Sequence, residues 1–171
     1  MRTTTSNHFI IIAIAAAMAS SVLQGCKVQI PLYEYDAECI SLGSSSGLQV
    51  ISISGMGNNE DECRTNAQKN AVHAFIFKGI KVSQNGRFNP CARERMTREP
   101  MSEHQSFWDE FFGPSGSYGD YITQKMNPPY KRIRNAEDKS LTLFFEYHVD
   151  IRTLRQDLER EGVIPSANIL N

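Results

Sequence analysis

The sequence predicts an α+β domain: a mostly antiparallel sheet with one long helix packed across a face and two shorter helices. Three observations carry that expectation. Residues 33–39 and 141–151 alternate between apolar and polar side chains, the period of a strand with one wet face. Residues 60–77 instead bring a small or apolar side chain back every four positions, the spacing of a helix stripe. The strand-like segments also group before the long helix and again near the end rather than alternating with helices one by one, which separates α+β from a parallel α/β sheet.

The first residues set the expected compartment. Residues 1–8 are polar with one basic side chain, Arg2, and 9–18 form an apolar block, about ten residues, the length of a signal-peptide core. A helix needs about 20 residues to cross a bilayer, so this block is too short to span one. Ala19, Ser20 and Ser21 follow, then Val22-Leu23-Gln24-Gly25-Cys26. The run Leu23-Gln24-Gly25-Cys26 resembles the bacterial lipobox, with Gln24 standing where a small residue is usual. The resemblance implies a lipoprotein: the Cys26 sulfur carries a diacylglyceryl group, cleavage before it makes Cys26 the N-terminus, and acyl chains of the palmitate type hold the chain to a membrane. Two or three chains are needed because each buried CH₂ contributes only about 0.8 kcal/mol. The competing reading is an ordinary signal peptide cut after Ala17 or Ala19, with Cys26 left to form a disulfide. The expected plan is a signal peptide over 1–25, a lipidated tether over 26–32 and a single domain over 33–171.

Composition narrows the function classes. The formal net charge of −1 offers no electrostatic case for nucleic acid. Beyond Cys26 the cysteines are Cys39, Cys63 and Cys91, an odd count that allows one disulfide with one free thiol, or none. Cys91, in an irregular segment, is the better disulfide candidate, with its partner left open. No Cys-x-x-Cys spacing is present, so zinc and thioredoxin-like chemistry lack their usual signature. No metal or cofactor is expected.

In chain order, Tyr33, Tyr35, Ala37 and Cys39 share one face of the first strand, and Glu34, Asp36 and Glu38 the other. Residues 43–47 are a Gly/Ser turn, and 48–54 the returning strand of a hairpin. The helix over 60–77 opens with Asn59 as N-cap and Glu62 three residues on, a capping box, and Glu60, Asp61 and Glu62 suit the positive end of its dipole. Its stripe is Cys63, Ala67, Ala71 and Phe75 with Ala74 alongside, narrow enough to lie close on a sheet, and Gly79 stops it. A short strand over 80–82 precedes an irregular stretch, 83–100. The second helix is expected to start at Ser102, with Gln105 completing a cap, to carry Phe107, Trp108, Phe111 and Phe112, and to end at Gly113-Pro114. Residues 115–127 read as a flexible loop, 130–134 as a strand and 141–151 as the clearest strand, with only Phe144 out of pattern. A last helix over 153–161 buries Leu154 and Leu158 and ends at Gly162.

Candidate chemistry is sparse. The Gly55-x-Gly57 junction lacks the third glycine of a dinucleotide site, and three carboxylates occupy the turn where a phosphate would sit. His73, His104 and His148 have no second ligand at a metal spacing and read as structural or solvated. Cys63 has acidic neighbours that oppose thiolate formation, so it reads as a packing cysteine. Glu103, Asp109 and Glu110 share a helix without a common aim, and no catalytic constellation is visible. Two binding candidates remain: Arg87, Arg93, Arg95 and Arg98 as a contact for a partner protein, against the favoured reading of a solvated loop, and Tyr118, Tyr121 and Trp108 as a pocket where aromatic rings stack on a small ligand or glycan, against the favoured reading of Trp108, Phe111 and Phe112 as core.

Several runs also resemble small lipoproteins of Bacteroidetes-type bacteria: 51–57, the helix with Asn66-Ala67 and Asn70-Ala71, 75–79, Phe111-Phe112 with the loop after it, and 149–159. The strand, Gly-x-Gly and alanine-rich helix are similar to the N-terminal domain of flagellar assembly protein T and related small lipoproteins. The resemblance implies a helix laid on a curved sheet, used as a non-catalytic part of envelope machinery, and it transfers no catalytic residue. By Gram-negative sorting rules, Lys27 directly after the cysteine, where Asp would retain a lipoprotein at the inner membrane, implies the outer membrane. The missing acidic stretch after Cys26 implies its periplasmic side. The expected function is a structural or assembly lipoprotein binding another envelope protein, with a ligand- or glycan-binding lipoprotein as the alternative.

Overall fold

A computed structural model describes residues 33–42, 47–80 and 94–166. The signal segment, Cys26, the tether, the turn at 43–46, the strand expected beyond Ile80, Arg87, Cys91 and Arg93 lie outside the described residues. In order, the elements are β1 (Ala37–Leu42), β2 (Leu48–Gly57), α1 (Glu60–His73) running into a π-helical turn (Ala74–Lys78), a 3₁₀ turn (Met101–His104) leading into α2 (Gln105–Phe111), a 3₁₀ turn (Ser117–Tyr121), β3 (Lys131–Arg134), β4 (Leu141–Asp150) and α3 (Ile151–Arg160). The sheet order is β1-β2-β4-β3, antiparallel throughout. The fold is α+β.

The two central strands divide their faces by parity. Ile51, Ile53, Leu143, Phe145, Tyr147 and Val149 point towards α1 and are fully buried. They are matched across the ladder, Ile51 with Tyr147 and Ile53 with Phe145, so one register places the whole apolar set on one side. The helix answers with Cys63, Ala67 and Ala71, also fully buried. Small side chains on both partners bring the axis close. A Cβ on Gly55 would overlap the Cys63 carbonyl oxygen and fall 2.8 Å from the Ala67 Cβ. Asn66 and Asn70 fix the register, their side-chain amides donating to the carbonyls of Met56 and Ser54 on the last turns of β2 (2.7 and 3.0 Å).

The start of α1 is built as the sequence implies. The Asn59 side chain accepts from the Glu62 N–H (2.9 Å), and the Glu62 carboxylate returns to the Asn58 N–H (2.9 Å), one residue before the position in the simplest capping box. The helix end differs from expectation. After His73 the coil widens into a π turn, closed by the Gly79 N–H donating to the Ala74 carbonyl at 2.7 Å. The Phe75 and Ile76 carbonyls then accept from the Met96 and Thr97 N–H groups (3.0 and 3.1 Å), which satisfies groups a helix end would otherwise leave open.

Other boundaries shift by physical cause. β1 pairs only from Ala37, because residues 34–36 leave the ladder; the Asp36 N–H and carbonyl engage Ser54 instead. Ser102 is not a cap: it lies inside a 3₁₀ turn that starts at Pro100, and no side chain caps α2. The segment read as a flexible loop holds a 3₁₀ turn with Tyr118 and Tyr121 buried against the core. α3 begins at Ile151, directly off β4, with the Asp150 side chain accepting from the Thr153 N–H (3.1 Å).

Candidate functional site

The aromatic candidates for ligand stacking are core residues. Trp108 is 1 % exposed and Tyr118 and Tyr121 are 8 % exposed. Trp108 meets Phe77 and Phe107 edge-on at 5.0 and 4.9 Å, and Tyr121 stacks on Phe111 at 6.0 Å. The Tyr121 hydroxyl donates to Asp157 (3.1 Å), and burial pushes its pKa up to about 12. The ring faces a sugar would need are occupied by neighbouring side chains. For Trp108 this is the reading its helix face favours; for Tyr118 and Tyr121, in a segment read as a loop, no period signalled burial.

Beside this core is a cleft of about 320 Å³ between α2 and the end of α3. Phe107 and Phe111 form its floor, Glu110 and Glu161 its acidic rim, and Ser115 and Ser117 its hydroxyls. Its lining contains no histidine or cysteine. Elsewhere on α2, Asp109 accepts from Gln105 (2.6 Å); Glu103 is in the 3₁₀ turn before that helix and is solvent-exposed.

Of the basic candidates, Arg95 and Arg98 are exposed on the strand-like stretch that caps the π turn through Met96 and Thr97. Arg87 and Arg93 lie outside the described residues. A second basic surface that the sequence reading passed over is β3, where Lys131, Arg132, Ile133 and Arg134 are all exposed at the sheet edge. The signal was present as Lys-Arg-Ile-Arg, but a four-residue strand has no period strong enough to single it out.

His73 takes the structural one of the two roles its spacing suggests. It is buried, stacks on the Tyr33 ring at 3.9 Å, and shares a 2.8 Å hydrogen bond between its Nδ1 and the Tyr35 hydroxyl. Burial, and then the Lys78 charge, lower its pKa from 6.5 to about 4, so it is neutral at pH 7. Lys78 completes the strap by donating to the Tyr33 carbonyl (2.8 Å) and sitting 3.9 Å from the centre of the Tyr35 ring. Residues 33–36 are thereby tied to the end of the long helix. The left-handed backbone of Tyr33 (φ 68°) is held by these contacts.

The thiols divide cleanly. Cys63 is free and buried; its thiol donates to the Leu141 carbonyl (3.0 Å), and burial followed by the Glu62 charge pushes its pKa up to about 11. That fits packing and opposes nucleophilic use. Cys39 is disulfide-bonded. Among the described residues no group of three His, Cys, Asp or Glu side chains could hold a metal ion, and no helix is long and apolar enough to cross a membrane. Compared with known proteins, the chain matches no family model, no curated protein and no solved structure.

Proposed function

We propose that this chain is a non-catalytic cell-envelope lipoprotein, held through Cys26 to the periplasmic face of the outer membrane, where it serves as a structural or assembly component for another envelope protein. The observation that carries the reading is the apolar block of residues 9–18 followed by Leu23-Gln24-Gly25-Cys26. Two features are in keeping with it. Residues 33–36, which begin seven positions after Cys26 in sequence, are strapped to the end of the long helix by Lys78 and His73. The titratable groups are also arranged for packing: the buried histidine is neutral and the free thiol is protonated. Arg95 and Arg98, with Arg87 and Arg93 nearby in sequence, supply the cationic contact for a partner. The glycan-binding alternative is weakened because Trp108, Tyr118 and Tyr121 are packed in the core.

The deciding experiment is Cys26→Ser in the full-length chain, with metabolic acyl labelling and membrane fractionation. The parent should incorporate label and sediment with membranes, and the variant should do neither. A parent that carries no label would refute the anchor.

A further inference from the structure

Resting on the lipid-anchored reading, we propose that the sheet edge formed by residues 125–134 is a second membrane contact, docking on the anionic phospholipid headgroups of the bilayer that holds Cys26. This stretch runs down the open side of β4. Asn127 donates to the Glu146 carbonyl (2.8 Å), and Lys131 to Arg134 then pair with Phe144 to Leu141. It carries Lys125, Lys131, Arg132 and Arg134 and no carboxylate, in a chain whose net charge is −1. Between the cations are three of the large apolar side chains most exposed among the described residues: Met126 at 80 %, Tyr130 at 55 % and Ile133 at 45 %.

Cations interleaved with an aromatic and two flexible or branched apolar side chains suit a headgroup layer. The ammonium and guanidinium groups meet phosphates, while Tyr130, Met126 and Ile133 enter the boundary beneath them. The present partners of the cations are weak competitors. Arg132 pairs with Glu60 (3.0 Å) and Lys125 with Asp120 (3.8 Å), both in exposed settings where an ion pair contributes little. A lysine- and arginine-bearing edge also discourages addition of another chain's strand, which favours lipid over β-pairing as the occupant.

Placement agrees. Ala37 pairs with Ile53, Ile53 with Phe145, and the adjacent Phe144 with Lys131, so the start of β1 lies level with the start of β3. The strap at 33–36 and the basic edge therefore share one end of the sheet, about 14 Å apart across three strand spacings. The tether between Cys26 and Tyr33 spans up to about 25 Å when extended, enough for both to reach one bilayer.

The test uses the full-length acylated chain reconstituted into vesicles of phosphatidylethanolamine and phosphatidylglycerol, with nitrobenzoxadiazole on Ile133→Cys, and on Gln105→Cys of α2 as a control. Cys63 is fully buried and stays unlabelled. The Ile133 label should shift to the blue while the Gln105 label stays water-like. The shift should be lost in phosphatidylcholine vesicles, and lost again when Lys131→Ala and Arg134→Ala are added. A water-like Ile133 label on an acylated, vesicle-bound chain overturns the docking alone. So does a shift indifferent to lipid charge, or one that arises only when chains cross-link to one another through this edge. A chain that carries no acyl group and stays in the supernatant overturns the anchor and the docking together.

Discussion

His73 shows how one side chain can couple solution conditions to the strap. Its neutral ring fills a slot between Tyr33, Tyr35, Phe77 and Phe112, and a proton there would meet low polarity and the Lys78 charge. The pKa falls from 6.5 in an open chain to about 4 in the folded one. Between those values the unfolded chain binds more protons, so stability is full above about pH 6.5 and is lost as pH falls towards 4, by up to about 3 kcal/mol. Urea midpoints measured from pH 7 to 5, above most carboxylate titration, should fall in the parent and stay flat in His73→Phe. An unchanged parent slope in the variant would show that another group titrates there. Cys63 gives a second expectation at this scale. With its thiol buried and its pKa raised to about 11, it should resist alkylation at pH 8 in the folded protein and react once urea unfolds it. Fast native labelling, followed by mass spectrometry, would contradict the packing role. Its burial was legible from the four-residue stripe. The core position of Trp108 was legible too, as the favoured reading of its helix face, whereas that of Tyr118 and Tyr121 was not, since they lie in a segment without a period to place them.

Among the elements, the contact between β2 and α1 is the least tolerant of change. Gly55→Ala would drive a methyl group into the backbone of Cys63 and Ala67, neither of which is a side-chain tip that can swing away. A loss of about 3 kcal/mol or more is expected in chemical unfolding, against about 1 kcal/mol for removing the Asn59 cap by Asn59→Ala. Equal costs would mean that the helix relaxes off the sheet. The positions of α1 and β4 were readable because each repeats a strong period, that of β2 because it returns from a Gly/Ser turn, and the Asn59–Glu62 cap because its chemistry is local. The π turn at Ala74–Lys78 was hidden: Ala74, Phe75, Ile76 and Phe77 suit an α-helix as well, and the widening depends on Met96 and Thr97, some twenty residues away, meeting the released carbonyls. The Ser102 cap failed for the complementary reason, since a Ser-x-x-Gln pattern competes with a 3₁₀ turn begun by Pro100.

At the scale of the whole molecule, the cysteines tie the fold to the proposed anchor. Cys63 is free and Cys39 is disulfide-bonded. An acylated Cys26 has no thiol to contribute. The lipoprotein reading therefore expects a Cys39–Cys91 bridge, to be checked by non-reducing peptide mapping of the membrane-extracted chain. A Cys26–Cys39 bridge would leave no site for the diacylglyceryl group. The odd count left this pairing open in the sequence, and it narrows only because the fold buries one thiol in a helix stripe. Class and layering were legible for the same kind of reason, resting on long periodic segments. The basic edge at β3 was not, because exposed arginines in an irregular stretch and exposed arginines on an edge strand look alike until the strands are paired.

The strap has a mechanical consequence. On the lipid-anchored reading, a pull from Cys26 that reaches Tyr33 loads the bonds from Lys78 to the Tyr33 carbonyl and from Tyr35 to His73. Both end on the helix side of the body, whereas β1 is an edge strand that a force at its free end would peel from β2 one hydrogen bond at a time. The clamp diverts tension into the helix packed across the sheet, so that many contacts resist together before the weakest edge is asked to yield.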